Sequence, residues 1–441
     1  MPERARRATA GLVLTPTGGL ALVDTGDGPV EVVVPPVEAT DADRVGWSAW
    51  AAAAVTAVTG VTGGVPLARF TVDVSAVLLA AVVDVRQPAP RVGAVRIVPR
   101  ASTDPSLARS PADVVERVVA HRATVPGGHD LFGHELCPLD RDVLAEVCRT
   151  LQQSEVDAVA IVATGSQADP QHEREVADAL STTLPGAHIS LASDYGGQGL
   201  IAREATVVLN GAMRIRAERV VDALEAALAE AAPGAGLRIA RSDGGHATPS
   251  RLRSMPVMAL GATAALRLTG AAHRAGYRDC RVVLAHADAT GACEVGDVRH
   301  GLPIVRPARV DALGTELVVP AAAVSPLAGE PGDVGPGLDV PVVVERGDPT
   351  TLAALGALVS RPTSWLDEVG FIESAAELDR VRRDAEDRAT AFATANGAEP
   401  GSGHLVEASV VAVPYSPSGT VRIRVRVAGD PDDRLPVGAR R

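Results

Sequence analysis

The sequence contains no lysine: all 42 of its basic residues are arginine. This absence excludes a Schiff-base lysine, a P-loop lysine and a lysine general base. Aromatic residues make up only 2% of the chain, against 46% for hydrophobic residues as a whole. The core must therefore be built from Ala, Val and Leu in layers of strands and helices. With 441 residues, the chain is long enough for two or three domains.

Basic stripes and metal-binding cysteine spacings are also missing. The net charge of −12 is spread along the chain, with no interleaved aromatic residues to stack on bases. This pattern argues against nucleic acid or an anionic membrane surface as a partner. The four cysteines show neither a paired metal-ligand spacing nor a dense disulfide pattern. We therefore expect a reduced, cytoplasmic protein without a metal site.

Long apolar runs of the kind that cross a membrane are absent as well. The Ala-rich run at residues 49–58 is too short for a span and ends at Gly60. The basic residues 1–7 are not followed by the apolar run of a signal peptide. We therefore expect no membrane association.

Periodicity predicts alternating strands and helices in the N-terminal part. Residues 11–35 have two or three strand-like runs separated by glycine turns. Farther on, residues 140–152 have a helical pattern and residues 156–163 read as a buried strand. Asp169-Pro170 then starts another helix, and residues 188–193 return as a strand.

The remainder of the chain continues as mixed α/β structure. Residues 202–232 have apolar residues at helical spacing, and residues 256–275 predict a second apolar helix. A capping box that begins at Ser374 starts a helix that stops at Gly397. Further predicted strands are residues 237–240 and 281–285, and residues 406–429 predict a hairpin.

Four segments between residues 135 and 245 occur in a fixed order. They read "ELCPLDRDVL", "SEVDAVAIVATGSQADPQHEREVADALSTTLPGAHISLASD", "GLIAREATVVLNGAMR" and "RIARSDGG". Together they resemble the hydantoinase A / N-methylhydantoinase / 5-oxoprolinase family. The resemblance continues more sparsely from about residue 11 to residue 430.

The resemblance implies a two-lobe α/β fold like that of actin and the sugar-kinase ATPases, with a small C-terminal α+β appendage. On this basis, residues 8–183 form an N-terminal hydantoinase/oxoprolinase-like lobe and residues 184–347 form a central hydantoinase A-like lobe. Residues 348–441 form a C-terminal module of a helix and a β-hairpin.

Family members are expected to hold ATP phosphates with two Asp-x-Gly-Gly-Thr-x-Thr-Asp hairpins. Their glycines let backbone N–H groups approach an anion, and their carboxylates hold a divalent cation. In the first hairpin of this chain, Val13 and Leu20 stand at the carboxylate positions, with Thr17 between them. In the second hairpin, the corresponding residues are Ala285 and Ala292.

The glycine pair of the second hairpin is also lost, and Asp288 lies within this altered loop. Two further elements differ: Ala262-Thr263-Ala264 replaces a Ser-Gly-Pro element, and Glu316 stands near the position of an adenosine-side serine. We therefore expect no cofactor, with ATP and Mg²⁺ bound only if the degenerate site retains affinity.

Several residues match family positions in the predicted cleft. Asp243, followed by Gly244 and Gly245, is the first catalytic candidate; the alternative is a simple Asp-Gly turn. Asp194, which precedes a glycine-rich loop, is the second; that loop either cradles an anion at a helix N-terminus or serves as an interlobe hinge.

Three residues near the start of the long predicted helix, Arg203, Glu204 and Asn210, also match the family. They are candidates for binding substrate in the cleft, or for an interlobe ion pair that fixes its geometry. His129 and His134 have a spacing that suits no common metal-ligand pair, so we expect a surface loop there.

Two functional hypotheses follow. In the first, the chain is a pseudoenzyme that does not hydrolyse ATP, or a partner-dependent component. It would work as a homo-oligomer or with a hydantoinase B-like subunit, and a small-molecule ligand remains open. The apolar stripe Ala375, Leu378, Val381 and Ala385 must be covered by the second lobe or by another subunit. In the alternative, the chain is an active ATP-dependent hydrolase of cyclic amides, or a carboxylase subunit.

Overall fold

A computed structural model gives the fold. The structure describes residues 6–15, 18–36, 46–100, 107, 110–285, 293–327, 340–414 and 416–433. None of the helices in these segments combines the length and the apolar character that crossing a membrane requires.

Ten α-helices lie within the described segments. Their bounds are α1 (Trp47–Gly60), α2 (Ser75–Val83), α3 (Ala112–Val118), α4 (Arg141–Gln153), α5 (Gln171–Thr183), α6 (Leu200–Ala231), α7 (Pro249–Ser254), α8 (Ala262–Arg274), α9 (Pro349–Val359) and α10 (Ala375–Ala395). Short 3-10 turns occur at Ala192–Asp194, Pro256–Ala259 and Asp311–Leu313.

Twenty strands accompany these helices in the described segments. The first ten are β1 (Ala8–Thr15), β2 (Gly18–Asp24), β3 (Pro29–Val34), β4 (Leu67–Asp73), β5 (Val92–Val98), β6 (Val119–Pro126), β7 (Ala158–Ala163), β8 (His188–Leu191), β9 (Gly236–Ala240) and β10 (His246–Ala247). The others are β11 (Cys280–Ala285), β12 (Cys293–Arg299), β13 (Leu302–Pro303), β14 (Val305–Val310), β15 (Thr315–Ala322), β16 (Ser325–Leu327), β17 (Val342–Glu345), β18 (Thr363–Phe371), β19 (His404–Ala412) and β20 (Thr420–Ala428).

A six-stranded mixed sheet forms the first lobe, in the order β10-β9-β4-β1-β2-β3. β1, β2 and β3 form an antiparallel meander, whereas β4 and β9 run parallel to β1. One face packs on α1, α2 and α6, and the other packs on α9. Burial on both faces explains why β1 is almost continuously apolar rather than alternating. Gly11 permits the close approach of α9, because a Cβ there would lie 2.2 Å from the Leu358 backbone nitrogen.

A four-stranded parallel sheet is inserted between β4 and β9 in the chain. Its order is β6-β5-β7-β8, and α3, α4 and α5 provide the connections. α4 and α5 cover one face, while α6 covers the other. Asp140 caps α4 by accepting from the Asp142 and Val143 backbone N–H groups.

The second lobe is built on β13-β12-β11-β17, with β16 paired to β12. α8 packs on this sheet, and its neighbour α9 joins it to the first lobe. The predicted helix at residues 256–275 is two pieces, a 3-10 turn followed by α8. The break falls at Gly261, which adopts a left-handed conformation with a φ of +86°.

A C-terminal module consists of α10 on the three-stranded antiparallel sheet β18-β20-β19. Ser374 caps α10 by accepting from the Glu377 N–H, as the capping box predicts. Ala385 lies in the core between α10 and this sheet. The stripe on α10 thus packs partly within its own module, so that this helix gives no independent support to an oligomer.

The first sheet also bears on the expected domain bounds. β9 and β10 follow the boundary expected at residue 184, yet they complete the sheet that begins with β1. The first lobe therefore takes strands from both sides of that boundary.

Candidate functional site

The first predicted phosphate hairpin is the turn between β1 and β2. Val13 and Leu20 are direct cross-strand partners, so the two positions expected to carry carboxylates face each other as an aliphatic pair. Val13 is 1% exposed and packs against α9. Thr17 lies outside the described residues. The described part of this hairpin contributes packing rather than a cation site.

The second predicted phosphate hairpin joins β11 and β12. Its last described pair is Ala285 opposite Cys293, and the Ala285 side chain is half-buried. Asp288 and Ala292 lie outside the described residues. The adenosine-side residue Glu316 is exposed on β15.

A buried carboxylate that the sequence analysis missed lies at the carboxyl end of β4. Asp73 is 0% exposed and accepts hydrogen bonds from the Thr263 hydroxyl at 2.5 Å and from the Ser75 N–H at 2.9 Å. Burial raises the pKa of Asp73, although these hydrogen bonds oppose the rise. Because Thr263 belongs to α8, this contact joins the two lobes. An aspartate at the end of the strand-like segment "LARFTVD" was the available signal.

Asp243 lies where the first sheet, the second lobe and the C-terminal module meet. It follows β9 and is 0% exposed. Its Oδ1 accepts from the Thr363 hydroxyl at 3.0 Å and from the Gly245 N–H at 3.1 Å. The Arg241 Nε lies 3.3 Å from the same oxygen, and the Arg426 Nε lies 3.8 Å from Oδ2.

The surrounding arginines and hydrogen bonds stabilise the ionised form of Asp243. Burial alone would raise its pKa, but Arg241, Arg426 and the two hydrogen bonds outweigh burial, so its pKa lies below the usual value. Arg426 also donates to the Pro303 carbonyl at 2.7 Å and to the Asp243 carbonyl. The carboxylate is therefore an ionised group enclosed by cations from two modules.

The two glycines after Asp243 leave no room for a ligand. Gly244 has a φ of +84°, and a Cβ on it would lie 2.6 Å from Pro303. A Cβ on Gly245 would lie 2.1 Å from the Thr363 hydroxyl oxygen. Both glycines serve close packing, and in this conformation Asp243 is inaccessible to a substrate.

Arg203 is 1% exposed at the start of α6. It donates to the Ser166 hydroxyl oxygen at 2.6 Å and to the Ala163 carbonyl at 3.2 Å. Glu173 on α5, 0% exposed, lies 3.6 Å away as its counter-ion. The Glu173 carboxylate also accepts from the N–H groups of Ala163 and Ser193, each at 2.8 Å. This network joins α6 to the inserted sheet.

Glu204 and Asn210 extend this contact along α6. Together with Arg203 and Glu173 they form what we call the α6 seam. Glu204 pairs with Arg96 of β5 through two hydrogen bonds of 2.6 and 3.2 Å. Asn210 donates to the Ser190 hydroxyl and to the Ser254 carbonyl, each at 3.1 Å. Glu204 is 2% exposed and Asn210 is 0% exposed. Their geometry is that of fixed ion pairs and hydrogen bonds between modules.

The glycine loop after Asp194 is packed rather than open. The Gly197 N–H donates to the Asp367 carbonyl of β18 at 2.9 Å. A Cβ on Gly196 would lie 2.0 Å from that oxygen, and one on Gly197 would lie 2.5 Å from Val318. Burial, and then Glu173, raises the pKa of Asp194. In this conformation the loop holds modules together and leaves no anion cradle.

A histidine pair lies at the carboxyl end of the inserted sheet. His129 and His172 have ring centroids 4.3 Å apart, and both are 3% exposed. His172 accepts from the Gly128 N–H through Nδ1, which directs its Nε2 toward Glu135 at 3.1 Å. Contrary to a simple surface loop, His129 is buried, although the His134 side chain is 80% exposed. No group of three or more metal ligands occurs in the described segments.

The part of the chain that contains this histidine pair also matches a protein-family model. Residues 109–184 match the family model described as the hydantoinase/oxoprolinase N-terminal region. Over these residues the chain is similar to the hydantoinase/oxoprolinase family. No curated protein has a significantly matching sequence.

Two solved structures support the fold of this chain. A nucleotide-free acetone carboxylase, from a study of ATP-dependent acetone carboxylation, is 11% identical with a TM-score of 0.68. The match covers 98% of this chain and 89% of the other. An ATP-dependent caprolactamase from Pseudomonas jessenii is 12% identical with a TM-score of 0.66, and its match covers 96% and 87%. The predicted two-lobe α/β fold with a small C-terminal module is confirmed.

Proposed function

We propose that this hydantoinase/oxoprolinase-family protein is a pseudoenzyme component that does not hydrolyse ATP and that acts with a partner subunit. The observation that carries the proposal is the Val13–Leu20 pair in the first hairpin. An aliphatic pair at these positions offers neither charge nor lone pairs to a hydrated cation.

The size of the lost interaction supports weak nucleotide binding. Each charge-assisted contact contributes about 1.5–3 kcal/mol. Loss of the two carboxylates of the first hairpin therefore costs about 3–6 kcal/mol, which is roughly a 10²- to 10⁴-fold loss of affinity. The enclosure of Asp243 and of the α6 seam supports the same proposal, since neither offers a replacement site in this conformation.

Calorimetry with Mg²⁺-ATP tests the proposal. We expect no saturable heat at sub-millimolar nucleotide, and no phosphate release above that of a blank without protein. Titration with Mg²⁺ alone serves as the control for the cation. A micromolar dissociation constant for Mg²⁺-ATP would refute the pseudoenzyme proposal.

The partner in this proposal is a hydantoinase B-like subunit. A gene for such a subunit beside that of this chain would supply the protein to test. We expect the two chains to co-purify after co-expression and to elute as one species whose mass, by light scattering, exceeds that of either chain. Separate elution at micromolar concentrations would contradict partner dependence without bearing on nucleotide binding.

Asp73 favours a second candidate function, an active ATP-dependent hydrolase of cyclic amides or a carboxylase subunit. A carboxyl group with a raised pKa at the carboxyl end of a central strand is suited to general acid–base catalysis. Because Asp73 is closed off by Thr263 of α8, substrate would reach it only after the lobes separate. If Mg²⁺-ATP hydrolysis is detected, Asp73→Asn should abolish it, whereas retention of the rate in this variant would remove Asp73 from the mechanism.

A further inference from the structure

Two arginines share one face of the first sheet. Arg69 lies on β4 opposite Gly236 of β9, and Arg238 lies on β9 opposite Thr71 of β4. Two residues therefore separate them along adjacent parallel strands, which places both on the same face. Each is only 7% exposed.

The guanidinium groups of this pair are incompletely partnered. Arg69 donates to the Leu358 carbonyl at 3.1 Å and pairs with Asp433 at 3.2 Å, and its Nε has no hydrogen-bond partner. Arg238 donates to the Leu237 carbonyl at 2.8 Å, and its Nε is likewise unpartnered. Within the segments that the structure describes, Arg238 has no ion pair.

Two buried like charges side by side are costly. Burial lowers the pKa of both arginines, and Arg69 lowers that of Arg238 further. A guanidinium nevertheless stays protonated in proteins. A buried, unpaired cation destabilises the fold unless a negative charge is close. An anion bound beside these two guanidinium groups would therefore stabilise the fold.

The neighbouring His246 does not alter the net charge around the two arginines. His246 is fully buried, and burial, followed by Arg69 and Arg238, lowers its pKa well below the usual value. It therefore stays neutral beside the pair.

The negative charge comes from the acidic end of the described chain. Asp432 and Asp433 are the acidic groups that act on Arg238. The Asp432 N–H donates to the Gly397 carbonyl at 2.9 Å, and Pro431 forms a β-bridge with Ala398. These backbone contacts lay the segment against the arginines.

Glycines make the space for the Arg238 guanidinium. A Cβ on Gly397, which has a φ of +102°, would lie 2.9 Å from the Arg238 Nε. A Cβ on Gly236 would lie 3.0 Å from its Nη1. The Arg238 head group is thus held between two glycines, with the acidic segment close by.

We propose that Arg69 and Arg238 form an anion-binding site, and that the acidic segment at residues 431–433 is its intramolecular ligand, displaceable by a free oxyanion. The site lies toward the amino ends of β4 and β9. The expected ATP hairpins follow the carboxyl ends of their strands, so the proposal is independent of ATP binding.

The test is a phosphate titration of the full chain that carries both Asp432→Asn and Asp433→Asn. Thermal unfolding at each phosphate concentration is the readout. Potassium chloride keeps the ionic strength constant. We expect the variant to unfold at a lower temperature than the wild type without phosphate. We also expect it to bind phosphate at least about tenfold more tightly, because the competing ligand has been removed.

Two further variants make the result specific. Asp430→Asn removes a carboxylate that pairs with Arg361 at 2.5 Å and should leave the phosphate response at the wild-type level. Arg238→Met in the double-variant background should abolish the response. An equal response in wild type and double variant, or a response that survives Arg238→Met, would overturn the proposal.

Hydrogen exchange on the wild type covers the case in which the double variant does not fold. Saturating phosphate should speed exchange of the Asp432 amide, since displacing the segment breaks its hydrogen bond to Gly397. Unchanged exchange at this amide, with phosphate bound, would show that the segment is not displaced and would refute the proposal.

Discussion

Replacing Glu173 by glutamine should strongly destabilise the seam between α6 and the inserted sheet. The Glu173 carboxylate accepts from two backbone N–H groups, one on each oxygen, and from the Ser166 hydroxyl. In glutamine, one of these oxygens becomes an NH₂ group that points at a backbone N–H. The substitution also removes the counter-ion of Arg203, whose side chain is 1% exposed.

The magnitude follows from the burial of both partners. Removing one partner of a buried ion pair costs about 3–5 kcal/mol, because the remaining charge is left without compensation. Native domains are stable by about 5–15 kcal/mol, so a loss of this size is a large part of the total. The double variant Glu173→Gln with Arg203→Met should recover part of the loss, because the stranded charge is then absent.

Urea unfolding followed by circular dichroism measures the effect. The matched control is Glu175→Gln, two residues along α5, whose partner Arg141 is 78% exposed. This surface pair should contribute less than about 1 kcal/mol. If Glu173→Gln lowers the free energy of unfolding no more than Glu175→Gln does, the assignment of the seam as a stabilising buried network is wrong.

Three other outcomes are expected. Burial raises the pKa of Asp73, so its contribution to stability is complete below its unfolded pKa and declines as pH rises through the folded value. The melting temperature of Asp73→Asn should therefore improve relative to wild type as pH rises above the unfolded pKa of Asp73. Gly165→Ala should lower the free energy of unfolding, measured by urea unfolding, by at least about 2 kcal/mol. The reason is that φ is +73° and the Cβ would lie 2.0 Å from the His129 carbonyl oxygen. Gly133→Ala, with φ of +84° and no contact below 3.6 Å, should cost only about 1 kcal/mol. Light scattering should show an assembly larger than a monomer at micromolar concentration; a monomer without a co-purifying partner would contradict the oligomer.

Local signals in the sequence predicted much of the fold. The helix at residues 140–152, the Ser374 capping box and the alternation of strands and helices depend on residues a few positions apart, and the structure contains each of them. The Gly261 break was equally local but was overlooked, because the apolar pattern on either side of it continues without interruption.

The candidate site was harder to predict because its partners are distant in sequence. Asp243 and Arg426 are 183 positions apart, and no periodicity connects them. The family match of Arg203 predicted substrate binding in the cleft or an interlobe ion pair, but not that Glu173 would be its counter-ion. Burial of a charge depends on what packs over it, and that information is absent from the neighbouring residues.

The late arrival of β9 has a consequence for how the protein folds during synthesis. β4 pairs with β9 across a long separation, with Arg69 opposite Gly236, and the inserted sheet lies between them in the chain. While the ribosome is making that insertion, β4 can pair with β1 on one side only, and its other side remains an open sheet edge that is prone to aggregation. Such non-local pairing is slow, so the inserted sheet should become ordered first. Fragments that end before residue 236 should therefore aggregate more than fragments that also include β9.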